Sequence, residues 1–109
     1  MSEFKIIEDE DCLFVDYKNV SYTIDKIEEL DEIAVEGKCF VYFKPDNYFT
    51  DKGFVSNILT NPTWRDIMII ANDQIETTKD YHHRFLEGID EVKIINENGL
   101  KQIELSLGS

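Results

Sequence analysis

Thr63-Trp64-Arg65-Asp66-Ile67-Met68-Ile69-Ile70-Ala71-Asn72-Asp73-Gln74-Ile75 reads either as an amphipathic helix or, through Asp66 to Ala71, as a buried strand. Two local signals favour the helix. Thr63 follows the breaker Asn61-Pro62 and has Asp66 three residues on, a weaker variant of the Glu or Gln that usually completes a capping box. Trp64, Ile67, Met68, Ala71 and Ile75 then fall on one face at three- and four-residue spacing, which a strand with its period of two would scatter across both faces.

Working outward, strand signals dominate both flanks. Phe4 to Ile7, the acidic turn Glu8-Asp9-Glu10-Asp11 and Cys12 to Tyr17 predict a β-hairpin, with Val20-Ser21-Tyr22 as a short third strand or an extended link. Thr23 has the look of an N-cap for a second helix. Ile24, Ile27, Leu30 and Ala34, flanked by Ile33, form its apolar stripe, and Gly37 closes it. Phe40 to Phe43 predicts a central strand that stops at Lys44-Pro45-Asp46-Asn47. Phe49 to Leu59 predicts a short helix capped by Thr50 or Asp51, which Gly53 weakens by up to about 1 kcal/mol.

Past the long helix, Thr77 to Asp80 is a polar break, and Tyr81 to Leu86 reads as a helical turn or an ordered loop. The chain closes with a hairpin: Val92 to Asn96, a turn at Glu97-Asn98-Gly99, and Leu100 to Leu107. In the last strand Ile103, Leu105 and Leu107 share a face, opposite Gln102, Glu104 and Ser106, as in a sheet covered on one side. The expected architecture is therefore α+β. It has an antiparallel or mixed five- to six-stranded sheet with two main helices packed on one face, a two-layer sandwich ending in a β-hairpin, all in one domain of 109 residues.

Charge is unevenly shared. Residues 1–37 carry twelve acids against Lys5, Lys18 and Lys26, which accounts for −9 of the net −12. On the expected second helix, Glu28, Glu29, Asp31 and Glu32 project such a field from the solvent face. That repels phosphate and anionic lipid and suits a basic protein surface. No apolar run approaches the roughly 18 residues of a membrane span. Met1 to Glu8 lacks the basic and apolar regions of a signal peptide, so a cytoplasmic location is expected. Cys12 and Cys39 each sit among β-formers and read as buried thiols. With no further Cys and no nearby His they make a poor zinc signature.

The densest polar cluster is Asp80-Tyr81-His82-His83-Arg84, followed by Glu87. His82 and His83 are the only histidines, and as helix neighbours they would point about 100° apart, too far to grip one ion. Asp80 with His83, or His83 with Glu87, supplies two ligands and not a complete metal site, so no metal and no cofactor is expected. In the plainer reading one His packs beneath the hairpin on a backbone carbonyl and the other faces water. Trp64 either anchors a partner or covers the edge of the core, and the aromatics Tyr42, Phe43, Tyr48, Phe49 and Phe54 either line a groove or pack the core. No Gly-rich phosphate loop, Gly-x-Ser-x-Gly elbow, local Cys-His signature or basic stripe occurs.

Two functions follow as expectations. The first is a non-catalytic interaction or regulatory domain that docks a basic partner through Glu28, Glu29, Asp31 and Glu32. One form of it is mimicry of DNA phosphate, as a phage or mobile-element inhibitor would use; the competing reading is that acidity only keeps the chain in solution. The second is a small-ligand-binding protein or enzyme with a site around Trp64, Asp80, His82, His83, Arg84 and Glu87, where Arg84 holds an anion and a His serves as acid or base. A homodimer through an exposed β-edge is a further possibility.

Overall fold

The last strands of the chain occupy the middle of the sheet. In the computed structural model, which describes residues 4–44 and 53–108, β1 (Phe4–Asp9), β2 (Cys12–Tyr17) and β3 (Val20–Ile24) form an antiparallel meander. Next come β4 (Lys38–Phe43), the two-residue strands β5 (Phe54–Val55) and β6 (Leu59–Thr60), helix α1 (Trp64–Thr78), β7 (Phe85–Ile94) and β8 (Lys101–Gly108). The eight strands run in the order β1-β2-β3-β7-β8-β4-β5, with β6 also beside β4. Hairpin β7–β8 thus bridges the meander, parallel to β3 on one side, and β4, parallel to β8 on the other.

The sheet curls round α1, which touches β2, β3 and β5. Val15, Val20, Ile24, Leu30, Val41, Leu86 and Ile103 meet Ile67, Met68, Ala71 and Ile75 of the helix in one core. Burying a side chain the size of Ile67, Met68 or Ile75 is worth about 1.5–3 kcal/mol. The β-branched residues cost only about half a kcal/mol each in helix propensity, so packing fixes the helix. Its start is the expected one: Thr63 accepts from the Asp66 N–H while the Asp66 carboxylate accepts from the Thr63 N–H at 3.0 Å.

Several expectations are corrected. Among the described residues there is one α-helix on an eight-stranded mixed sheet, where two helices on five or six strands were expected. The segment from Ile24 to Glu36 is no α-helix. Ile24 ends β3, paired with Leu13, and only a 3-10 turn at Ile27–Asp31 follows. A helix there would set Asp25 against Glu28 and Glu29, and Glu28 against Asp31 and Glu32, at three- and four-residue spacing with a single lysine among them. Like charges so placed repel. The chain instead pairs with the approach to α1: Ala34 N–H donates to Pro62 O at 2.8 Å and Trp64 N–H to Glu32 O at 3.1 Å.

The expected helix from Phe49 to Leu59 has β5 and the start of β6 in its described part, because Phe54 and Leu59 pack on the core as partners of β4; residues 49–52, Tyr48 among the aromatics and the turn at 45–47 lie outside the described residues. β4 is flanked on both sides, but the hairpin, not β4, is central. Thr77 and Thr78 do not break the helix; it ends at Lys79 in the left-handed region (φ 61°). Cys12 is exposed at the start of β2, whereas Cys39 is fully buried and its thiol is pushed up by that burial.

The C-terminal hairpin is present, with Ile103 buried and Leu105 and Leu107 packed against the core. Its first strand begins seven residues before Val92, at Phe85. The loop is wider than a two-residue turn. Asn96 Oδ1 accepts from the N–H groups of Asn98 and Leu100, and Gly99 takes the positive φ of 80°.

Candidate functional site

Two places bring chemistry-bearing side chains together, and the residues named from the sequence divide between them. The first is built where the meander meets α1. Pairing of Leu13 with Ile24 sets the acidic β1–β2 turn at the same end of the strands as Asp25 and the 3-10 turn. The 3-10 turn and its C-cap then carry Glu28, Glu29, Asp31 and Glu32 as the acidic end of the segment that leads from the meander to α1. Glu28 and Glu32 are exposed and Glu29 is half-buried, its carboxylate accepting weakly from the Asp25 N–H at 3.3 Å. Asp31 is already engaged: Arg65 pairs with it at 3.1 Å and lies 5.0 Å over the Phe4 ring.

Trp64 belongs to this acidic end. The Trp64 N–H on the Glu32 carbonyl and the Ile33–Thr63 bridge tie the turn to the start of α1, and the Trp64 ring stacks on Tyr22 with centroids 5.3 Å apart. Burial pushes the Tyr22 hydroxyl up, and the carboxylates of Glu29 and Glu32 push it further. Both charges thus act on Tyr22. Trp64 also forms one wall of an open groove of about 530 Å³ with Ala34, Val35, Glu36, Ile89, Val92 and Lys101.

The second place is a cavity of about 320 Å³ under the C-terminal end of α1, lined by Phe43, Lys44, Gln74, Ile75, Thr78, Asp80, His83, Leu105 and Leu107. Helix ending at Lys79 turns the chain sharply, and Asp80 is fixed by its own N–H donating to Thr78 Oγ1 at 3.4 Å. His83 Nδ1 meets Asp80 Oδ2 at 2.8 Å. With Asp80 ionised, Nδ1 carries the proton, and in the neutral ring Nε2 is an acceptor. The ring rests on a carboxylate where a backbone carbonyl was expected, while His82 faces solvent.

Two oxygens in this cavity wall stand out. Gln74 Oε1 and Asp80 Oδ1 are buried with no hydrogen-bond partner. Each such acceptor costs about 1–3 kcal/mol of desolvation, a cost that an apolar side chain at position 74 would avoid. Nucleophilic chemistry is poorly served, because the one hydroxyl in the lining, Thr78 Oγ1, donates to Gln74 O at 2.8 Å.

The cluster read from the sequence does not hold together as one site. Asp80 and His83 share the cavity; the others do not line it. Trp64 lies at the opposite end of α1, about 21 Å from Thr78 along the helix axis. Arg84 is a structural tie, its Nε donating to Asn19 O at 3.0 Å beside the Ser21 N–H to Arg84 O bond that joins β3 to β7. Glu87 is on the exposed face of β7 and accepts from Ser106 Oγ at 3.0 Å. Among the described residues no group of three or more His, Cys, Asp or Glu is placed to hold a metal ion, and no helix is long and apolar enough to cross a membrane.

Sequence reasoning missed Gln74 and Tyr22. Ala71, Gln74 and Thr78 follow each other at helical spacing on the buried face, so a polar residue interrupting an apolar stripe was the available signal for Gln74. Tyr22 offered none, since its role depends on a contact 42 positions away. No family model matches the chain, and no match was found among curated proteins or solved structures.

Proposed function

We propose that this protein is a non-catalytic docking module that takes a basic segment of a partner protein on its acidic end, with the Tyr22–Trp64 pair as the platform. The observation that supports this reading most is the placement of the Glu29 and Glu32 charges beside Tyr22, which stacks on Trp64, a wall of an open groove. Carboxylates alone would attract any cation weakly and lose it to salt. An indole face beside them adds cation–π attraction of about 0.5–2 kcal/mol for an arginine or lysine side chain, with a geometric preference that bulk charge lacks. The half-exposed apolar wall of Ala34, Ile89 and Val92 would receive the aliphatic neighbours of that cation. Nucleic acid itself is the wrong charge for this surface; a protein that binds nucleic acid has the right one.

The chain's single tryptophan reports directly on the site. Titrating a short arginine-rich peptide should quench or shift Trp64 fluorescence, with affinity falling as salt rises. Glu29→Gln with Glu32→Gln should weaken binding about tenfold, while Asp73→Asn with Glu97→Gln, an equal change in charge elsewhere, should leave it within a factor of two. Equal losses from the two pairs would reduce the acidic end to general solvation and overturn the reading.

A further inference from the structure

The geometry points to a second, separate binding site: the cavity under the C-terminal end of α1 receives a small ligand with a cationic N–H donor head, a primary ammonium or amidinium, on an apolar body. The unpartnered polar atoms of the buried lining are acceptors. Gln74 Oε1 and Asp80 Oδ1 are buried and unpartnered, and Gln74 as a residue is only 3% exposed. His83 Nδ1 meets the other carboxylate oxygen, Asp80 Oδ2, at 2.8 Å. A ligand that satisfies such a set must bring donors, and the Asp80 carboxylate selects a positive charge among them. An anion would meet that carboxylate, and the lysine of the lining, Lys44, is exposed.

Around this polar end Phe43, Ile75, Leu105 and Leu107 supply apolar wall. The volume of about 320 Å³ is at the lower limit of small-molecule pockets and corresponds to roughly ten water volumes, room for a ring or a short aliphatic body with its head group. Gln74 and Asp80, which carry the two orphan oxygens, both line the cavity. Terminal amide torsions are broad and two-fold, so a modest rotation re-aims the Gln74 oxygen without disturbing the helix. The aspartate is steadied by His83 and by its own N–H on Thr78, a positioning arrangement that a surface ion pair lacks.

The test uses benzylammonium as the cationic probe and phenylacetate as its anionic counterpart, titrated into the ¹⁵N-labelled chain. Benzylammonium should give saturable shifts at the Gln74 side-chain amide and the backbone amides of Ile75, Thr78, Leu105 and Leu107; phenylacetate should not saturate. Asp80→Asn should weaken benzylammonium about tenfold or more. Leu107→Phe, which keeps every polar group and fills the cavity, should also abolish saturable binding, so the test survives if the Asp80 variant folds poorly. Equal response to both probes, unchanged affinity in Leu107→Phe, or shifts confined to Tyr22 and Trp64 would overturn the site. The last result would place the cation on the acidic end instead, so the two sites fail separately.

Discussion

Gln74→Met should make the protein more stable and worse at binding. Glutamine and methionine are both unbranched, of similar length, and lose comparable rotamer freedom on burial. The exchange therefore leaves shape and entropy nearly unchanged and deletes one buried, unpartnered acceptor. That acceptor costs about 1–3 kcal/mol. Imperfect repacking of a volume-conserving swap takes back less than about 1.5 kcal/mol. The expected net gain is about 1 kcal/mol, or a midpoint of thermal unfolding raised by about 4 °C for a chain of this size. Urea unfolding followed by far-UV circular dichroism gives the check: the midpoint should rise while the slope m stays fixed, and saturable benzylammonium binding should be lost. A fall in stability would mean that the amide is hydrogen-bonded in solution, and the case for Gln74 as a retained ligand group would collapse with it.

Asn72 offers the opposite experiment, because its Oδ1 accepts the Asn19 N–H at 2.9 Å from a position only 1% exposed. Asn72→Ala should lower stability by about 1–3 kcal/mol in the same urea assay, and a loss below 0.5 kcal/mol would deny that the β2–β3 turn depends on it. Ile103→Ala, in the strand held between β7 and β4 and fully buried, should cost about 2–5 kcal/mol, and a midpoint unchanged within error would contradict the central placement of β8. Burial first, and then its hydrogen bond to Glu91 and the negative charges of Glu91 and Asp90, raise the Glu104 carboxyl from 4.5, against an opposing pull from Lys93. The folded state therefore holds that proton more tightly than the unfolded chain. Its contribution is present below about pH 4.5 and is lost as pH rises through the higher folded value. Glu104→Gln should accordingly be more stable than the parent at pH 7 and lose its advantage near pH 4; a constant difference across that range would refute the pairing.

What the sequence reveals follows the range of the interaction that decides each element. The capping box at Thr63 and Asp66, the apolar stripe of α1 and the turn at Gly99 are settled within a few residues, and each is where the spacing predicts. The acidic segment after Ile24 deceives because its apolar spacing suits a helix, whereas its charges and its distant partners Pro62 and Trp64 do not. Likewise Asp80 and His83, three residues apart, are legible as a pair. Trp64 is grouped with them by density of unusual residues alone and separates once a straight helix stands between. Gln74 becomes informative only when the curled sheet buries the face it occupies.

A chain made from its N-terminus outward holds the meander, β4 and α1 before it holds the hairpin that joins them. Until residues 85–108 have emerged, the outer edge of β3 and the β8-facing edge of β4 have no strand to pair with, and the apolar face of α1 faces an incomplete wall. Such non-local closure is slow, because loop entropy is lost before contacts compensate for it. The last two strands thus act as a closing stitch, and the interval before it is when this protein is most exposed to aggregation and to chaperones.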